Sequence, residues 1–153
     1  MPWKVLMDNG FVRINIISST NDFKGNSMKV AFATKDMINI DEHFGWAKQF
    51  AIYEVNKDGS SLSSVVKTQE GVDMEDEKIN SKIEAINDCA IVYCQAIGPT
   101  AAAKVIKNHI HPIKVEKLLS IEEALSSLQT MLKGNPPPWI KRIIMKEEGV
   151  TNE

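Results

Sequence analysis

The segment 41–47, which reads DEHFGWA, concentrates the residue types that could do chemistry in this chain. It combines two carboxylates, an imidazole, aromatic rings and a glycine between two apolar runs. Neutral imidazole is the commonest side-chain metal ligand, and loops held by a rigid sheet are where binding residues concentrate. A purely structural role is also open on these residues alone. Asp41 would then bind backbone N–H groups, Gly45 would supply an unusual backbone angle and His43 would pack.

A second candidate segment follows the apolar run that ends at Cys94. In open α/β sheets, ligands bind beyond the carboxyl ends of strands, and loops 34–47 and 95–98 both leave such ends. If their strands are parallel neighbours, His43 and Cys94 reach the same edge of the sheet. The helix after Gly98 offers free N–H groups to an anion, and it should depress the pKa of the nearby thiol. Imidazole and thiolate together favour iron–sulfur or soft-metal species over magnesium or calcium.

An enzyme is the alternative interpretation of the first loop. A small metal-dependent or anion-processing enzyme would use its acidic and imidazole side chains, Asp36, Asp41, Glu42 and His43. A nuclease would need acids from several strands, however, and the neighbouring strands supply none in suitable places. The chain has no GxSxG, Walker A or GxGxxG motif. His109 and His111 could chelate a metal, but we expect a packed His109 and an exposed His111.

Composition indicates one globular domain: the chain has 153 residues, is 43% apolar and 25% charged, and has a net charge of −2. Nothing indicates a basic face for nucleic acid, no apolar run approaches the ~20 residues of a membrane helix, and no secretory signal opens the chain. We therefore expect a cytoplasmic protein. On one strand, Cys89 and Cys94 would lie ~16 Å apart, too far for a disulfide.

The surrounding pattern predicts a three-layer α/β/α sandwich with a five-stranded mixed sheet. The predicted strands are 29–33, 50–55, 62–68, 89–94 and 112–115, and the helices begin near residue 76, after Gly98 and after Ser120. Strand 89–94 is expected at the sheet centre, parallel to 112–115, and strand 62–68 at an edge. The second helix is expected to bury an apolar stripe, Ala102, Val105, Ile106 and His109.

Three regions are predicted along the chain. Residues 1–27 form a peripheral leader with a short strand at 11–17, and residues 28–134 form the α/β domain. Residues 135–153 form a tail whose isoleucines share one helical face, and we expect the tail to pack back on the domain. The alternative is a tail that docks on a partner through Trp139, in an assembly factor that never holds a ligand itself.

Taken in order, these segments resemble the nitrogenase cofactor-assembly family, which includes NifX, NifY, NafY and the C-terminal domain of NifB. The segments that carry the resemblance are KVAFAT at 29–34, DEHFGWA at 41–47, FAIYEV at 50–55, Cys89–Cys94 with Gly98, HPIKV at 111–115 and PPPW at 136–139. The last three are closest to the NifX branch. The resemblance implies a ribonuclease H-like fold without nuclease activity.

The resemblance also implies a non-enzymatic carrier of an iron–sulfur precursor of the iron–molybdenum cofactor, either the NifB cofactor or a later intermediate. His43 occupies the position of the family histidine tied to cluster binding, and Cys94 is a candidate second metal ligand. Phe44, Gly45 and Gly98 complete the expected cofactor-binding residues. The implied partners are NifB and the assembly scaffold NifEN. A site with few protein ligands would release its cluster again, whereas four cysteines would hold it firmly.

Overall fold

The computed structural model describes residues 3–8, 11–16, 27–68 and 75–147, which form one mixed sheet with helices packed against it. The strands are Trp3–Asp8 (β1), Phe11–Ile16 (β2), Met28–Ala33 (β3), Gln49–Asn56 (β4), Gly59–Thr68 (β5), Ile91–Cys94 (β6) and His111–Lys114 (β7). The helices are Glu75–Ala85 (α1), Pro99–Lys107 (α2), Ile121–Lys133 (α3) and Pro138–Glu147 (α4). Within these ranges no helix has the length and apolar character needed to cross a bilayer.

The predicted strands between residues 28 and 134 form a continuous five-stranded mixed sheet in the order β5-β4-β3-β6-β7. The strands β3, β6 and β7 are parallel to one another, and β4 is antiparallel to both its neighbours. The parallel pairing predicted for the last two strands is therefore confirmed. An N-terminal hairpin, β1 and β2, pairs with β5 and extends the sheet to seven strands.

Two predicted strand positions are wrong. Residues 62–68 do not form an edge, because β2 covers β5 on its outer side. Residues 89–94 do not form the centre, because β6 lies second from the β7 edge. All four residues of β6 are nevertheless buried. Helices on both faces of a sheet make any inner strand apolar, so an apolar composition does not specify a central position.

The sheet is covered on both faces, so the molecule has three layers. Successive side chains of a strand point to opposite faces, and β3 shows this alternation. Ala31 joins a buried cluster with α1 and with Val105 of α2. Val30 joins a second cluster with Leu128 of α3 and Ile140 of α4. Two helices therefore pack on each face.

Local signals explain the ends of two helices. The hydroxyl of Ser120 accepts a hydrogen bond from the backbone N–H of Glu123 at 3.0 Å, which caps α3 as its sequence predicts. The stripe predicted for α2 is wrong beyond Val105, since Ile106 is 60% exposed. His109 lies past the helix end with a φ of 63° and is exposed. The chain leaves the helix before the stripe can continue to that residue.

The C-terminal helix α4 lies against the cluster that contains α3. Ile140 is fully buried there, and Ile143 and Ile144 are partly buried against the same cluster. Trp139 stacks on His111, with ring centroids 4.1 Å apart and planes inclined by 10°. His111 is consequently half-buried, and burial lowers its pKa. The expected arrangement of a packed His109 and an exposed His111 is thus reversed.

Candidate functional site

The candidate site lies at the carboxyl ends of β3 and β6, where the loops 34–47 and 95–98 run side by side. We call these two loops the rim. Their strands are parallel neighbours, as the rim prediction required. Gln95 N–H donates to the carbonyl oxygen of Glu42 at 2.9 Å, and Phe44 N–H donates to that of Ala96 at 2.8 Å. Main-chain hydrogen bonds therefore join the loops directly to each other.

His43 and its neighbours alternate between solvent and core because of a short 3₁₀ turn at Phe44–Trp46. His43 is exposed, and its ring stacks on the indole of Trp46 with centroids 5.4 Å apart. Trp46 is itself 79% exposed. Phe44 is fully buried and packs against Phe50, with ring centroids 5.7 Å apart. The buried phenylalanine fixes the turn, and the turn presents the imidazole to solvent.

The two glycines of the predicted site leave open surface. A Cβ atom added to Gly45 or to Gly98 would meet nothing within 4 Å. Neither residue has the left-handed backbone that favours glycine, so the unusual angle considered for Gly45 is wrong. Gly98 is the N-cap of α2 and contributes no side-chain cap, and Pro99 occupies the first turn. A bulky ligand could therefore approach the backbone closely at both places.

Asp36 organises the start of the loop after β3. Its carboxylate accepts hydrogen bonds from the backbone N–H groups of Asn39 at 2.8 Å and Ile38 at 2.9 Å. These bonds, with one from the Asn39 side chain, lower the pKa of Asp36 to about 2. The carboxylate is therefore ionised and committed to a turn.

The other two acids of the loop have structural partners as well. Asp41 accepts a hydrogen bond from the backbone N–H of Lys35 at 2.8 Å. Glu42 is 7% exposed, and its carboxylate forms an ion pair with the ammonium group of Lys35 at 3.2 Å. In the ranges that the structure describes, no three His, Cys, Asp or Glu side chains lie together as a potential metal site. The structural role considered for Asp41, binding a backbone N–H group, thus applies to Asp36 and Asp41, while Glu42 is held by an ion pair.

The backbone of Cys94 leads directly into the rim, but its thiol is not exposed there. The side chain is fully buried in the cluster that also contains Phe44. Burial raises the pKa of Cys94 to about 11, although the charge of Lys114 opposes this shift. The predicted depressed pKa is wrong, because loss of hydration outweighs the cationic neighbour. Cys89 is also buried, and the two cysteines are not joined by a disulfide. Metal ligation by Cys94 stays a prediction.

Two contributors to the rim were missed in the sequence: Trp46 and Lys82 of α1. The Nζ atom of Lys82 donates a hydrogen bond to the carbonyl oxygen of Gly45, and Lys82 is only 3% exposed. A signal for the burial of Lys82 was present in the spacing of the apolar residues around it. Ile79, Lys82, Ile83 and Ile86 follow the i, i+3, i+4, i+7 pattern of a single helical face, so the lysine lies within the apolar stripe.

Comparison with known proteins gives the family. A protein-family model described as "Dinitrogenase iron-molybdenum cofactor" matches residues 26–131, which include the whole rim and α1. The chain belongs to this family. It is 42% identical over 133 residues to a NifX protein of Herbaspirillum seropedicae, across 85% of this chain and 91% of the relative. It is 36% identical over 138 residues to the NifX of Azotobacter vinelandii, across 90% and 86% of the two chains. The predicted likeness to NifX is confirmed.

The fold of this iron-molybdenum cofactor family member also has a counterpart among solved structures. The crystal structure of PH0822 matches it with a TM-score of 0.55 at 20% identity, across 67% of this chain and 89% of the other. At that identity the match speaks for the α/β fold alone. Membership in the family places the chain in the biosynthesis of the iron–molybdenum cofactor for nitrogen fixation.

Within this family member, the rim offers one accessible imidazole on a fixed support and little else that binds metal. The acids are committed to the loop, and the thiol of Cys94 is enclosed. The arrangement suits a soft or borderline metal that accepts a nitrogen ligand. It can provide a single, accessible attachment point for a large ligand.

Proposed function

We propose that this chain binds an iron–sulfur precursor of the iron–molybdenum cofactor and carries it to the assembly scaffold. The observation that supports the proposal most directly is the exposed His43, stacked on Trp46 and set on hydrogen-bonded loops at the carboxyl ends of two parallel strands. Neutral imidazole is a common ligand of iron. The region that carries this histidine lies inside the match to the family.

Capture in this proposal is reversible because few protein atoms hold the cluster. His43 supplies the metal ligand, while Gly45 and Gly98 leave the surface low enough for a bulky cluster. The first N–H groups of α2, after Gly98, face an anionic cluster with the positive end of the helix dipole. Phe44 supports the turn from below. Cys94 would become a second ligand only if the rim opened, since its thiol is enclosed.

The proposed carrier is not an enzyme. The enzymatic alternative needs Asp36, Asp41 and Glu42 as free groups, and each of them is bound to neighbouring atoms of the loop. A carrier does not need any of these three carboxylates to contact the bound cluster. Their work in this proposal is to shape the loop that presents His43.

The proposal also covers the partners of the chain, its cellular location, its fold family and its division into regions. The donor of the precursor is NifB, supplying the NifB cofactor or a later intermediate, and the acceptor is NifEN, all in the cytoplasm. We also propose a ribonuclease H-like fold, supported by the five-stranded mixed core between two pairs of helices. The division into a leader at 1–27, a binding domain at 28–134 and a tail at 135–153 completes it.

The test is an anaerobic titration with a purified precursor cluster, followed by visible absorption and iron analysis. The matched pair of variants is His43→Ala and His109→Ala, since both histidines are exposed and only the first lies on the rim. We expect uptake to be lost in the first variant and retained in the second. Unchanged uptake by folded His43→Ala protein would overturn the ligand assignment.

A further inference from the structure

A buried positive charge lies directly behind the turn that presents His43. The side chain of Lys82 reaches from α1 to the rim and donates to the carbonyl oxygen of Gly45. Among the buried side chains that the structure describes, it is the only one of positive charge. An ammonium group is expensive to bury unless oxygen atoms receive its protons. The Gly45 carbonyl oxygen is one acceptor for this buried ammonium group.

The other main-chain groups of the turn bind partners within the rim. Phe44 N–H is bound to Ala96, and Trp46 N–H closes the turn on the carbonyl oxygen of His43 at 3.1 Å. Gly45 has no side chain, and Trp46 is largely exposed. The carbonyl group of Gly45, which Lys82 holds, thus attaches the second half of the turn to α1.

We propose that Lys82 is a positioning residue of the candidate site, which fixes the Gly45 carbonyl and thereby keeps the rings of His43 and Trp46 stacked and facing solvent. This role concerns the orientation of His43 as the metal ligand, and to that extent it rests on the proposed carrier function. Its physical content can be measured without any cluster. Lys82 acts through the turn and does not touch the ligand.

The variants are Lys82→Met, which keeps the length and the apolar stem but has no donor, and Lys82→Arg, which keeps donors at similar reach. The readout is the imidazole C2–H resonance of His43, which the Trp46 ring current displaces in a stacked pair. The chain has 3 histidines, so their resonances can be assigned by single substitutions. His111, stacked on Trp139 against the other cluster, is an internal control.

We expect Lys82→Met to move the His43 resonance toward that of an unstacked ring while His111 stays in place. Cluster uptake should weaken by about tenfold, the order of effect for one lost hydrogen bond. Lys82→Arg should restore both the resonance and the uptake. An unmoved His43 resonance in folded Lys82→Met protein would overturn the inference, whatever happens to uptake.

Two further measurements separate this inference from the proposed function. A displaced His43 resonance with uptake at the level of the unsubstituted protein supports the positioning role and contradicts the ligand role of His43. In the unsubstituted protein, the ammonium protons of Lys82 should exchange with water much more slowly than those of exposed Lys48. Equally fast exchange would overturn the inference even if Lys82→Met did not fold.

Discussion

Replacing Ile140 with alanine tests whether α4 is part of the fold. Ile140 is fully buried in the cluster that also contains α3. Truncating a buried isoleucine to alanine costs about 2–5 kcal/mol, through lost transfer energy and the cavity left behind. Because α4 packs on one face and can shift to fill part of the space, we expect the lower half of that range, about 2–3 kcal/mol. With a urea dependence of ~2 kcal/mol per molar, the unfolding midpoint should fall by roughly 1–1.5 M.

The matched control is Ile106→Ala on α2, since Ile106 is 60% exposed. Its unfolding free energy should change by no more than about 0.5 kcal/mol. Equal midpoints for the two variants would refute the reasoning and leave α4 free to serve a partner. Cluster transfer to the scaffold, measured where both variants are folded, should be the same for both if the tail only completes the domain.

Three other groups give shorter predictions. His43→Ala should unfold within about 0.5 kcal/mol of the unsubstituted protein because its side chain is exposed, and a larger loss in urea would mean that the turn depends on the imidazole. Cys94 should react with iodoacetamide as slowly as Cys89, since both thiols are buried, and rapid labelling of Cys94 alone would contradict its enclosed position. Burial raises the pKa of Cys94 from its ordinary value of 9.0 to about 11 in the folded protein. The stability that comes from keeping this thiol neutral is therefore fully present below pH 9.0 and is lost as the pH rises toward about 11. Unfolding midpoints should fall over that window, and less so in Cys94→Ala. Burial lowers the pKa of His111 in the folded protein. Its contribution to stability is therefore present when the pH is above the ordinary pKa of histidine, and it is lost as the pH falls through the lowered pKa. A His111→Gln variant should therefore lose less stability in mild acid, and an identical acid response in both proteins would contradict this.

The rim could be predicted because two general rules were sufficient. Apolar runs located the strands, and the rule that ligands bind beyond the carboxyl ends of parallel strands brought loops 34–47 and 95–98 together. The direction of the Cys94 thiol could not be predicted in this way. Every residue of β6 is buried, so its sequence has no alternation to distinguish one face from the other.

Tertiary partners account for the other failures. The strand at 11–16 was recognisable, but its pairing with β5 joins segments distant in the chain, which local patterns do not encode. His111 was expected to be exposed, but it stacks on Trp139. This partner belongs to another element of the fold, so the sequence around His111 does not reveal it. Lys82 lies in an apolar stripe, yet a lysine is rarely buried without a specific acceptor, and the Gly45 carbonyl is known only from the fold.

The main-chain bridge between the rim loops has a consequence for binding entropy. Ordering a mobile segment costs about 1–2 kcal/mol per residue, or roughly 10 kcal/mol for a stretch the length of 41–47. That is nearly the whole free energy of a nanomolar complex, about 12 kcal/mol. Such a cost would leave little net affinity for the proposed site with one metal ligand. Because the main-chain bonds of Gln95 and Phe44 already fix the loops to each other, the proposed bond to His43 would not have to offset this ordering cost.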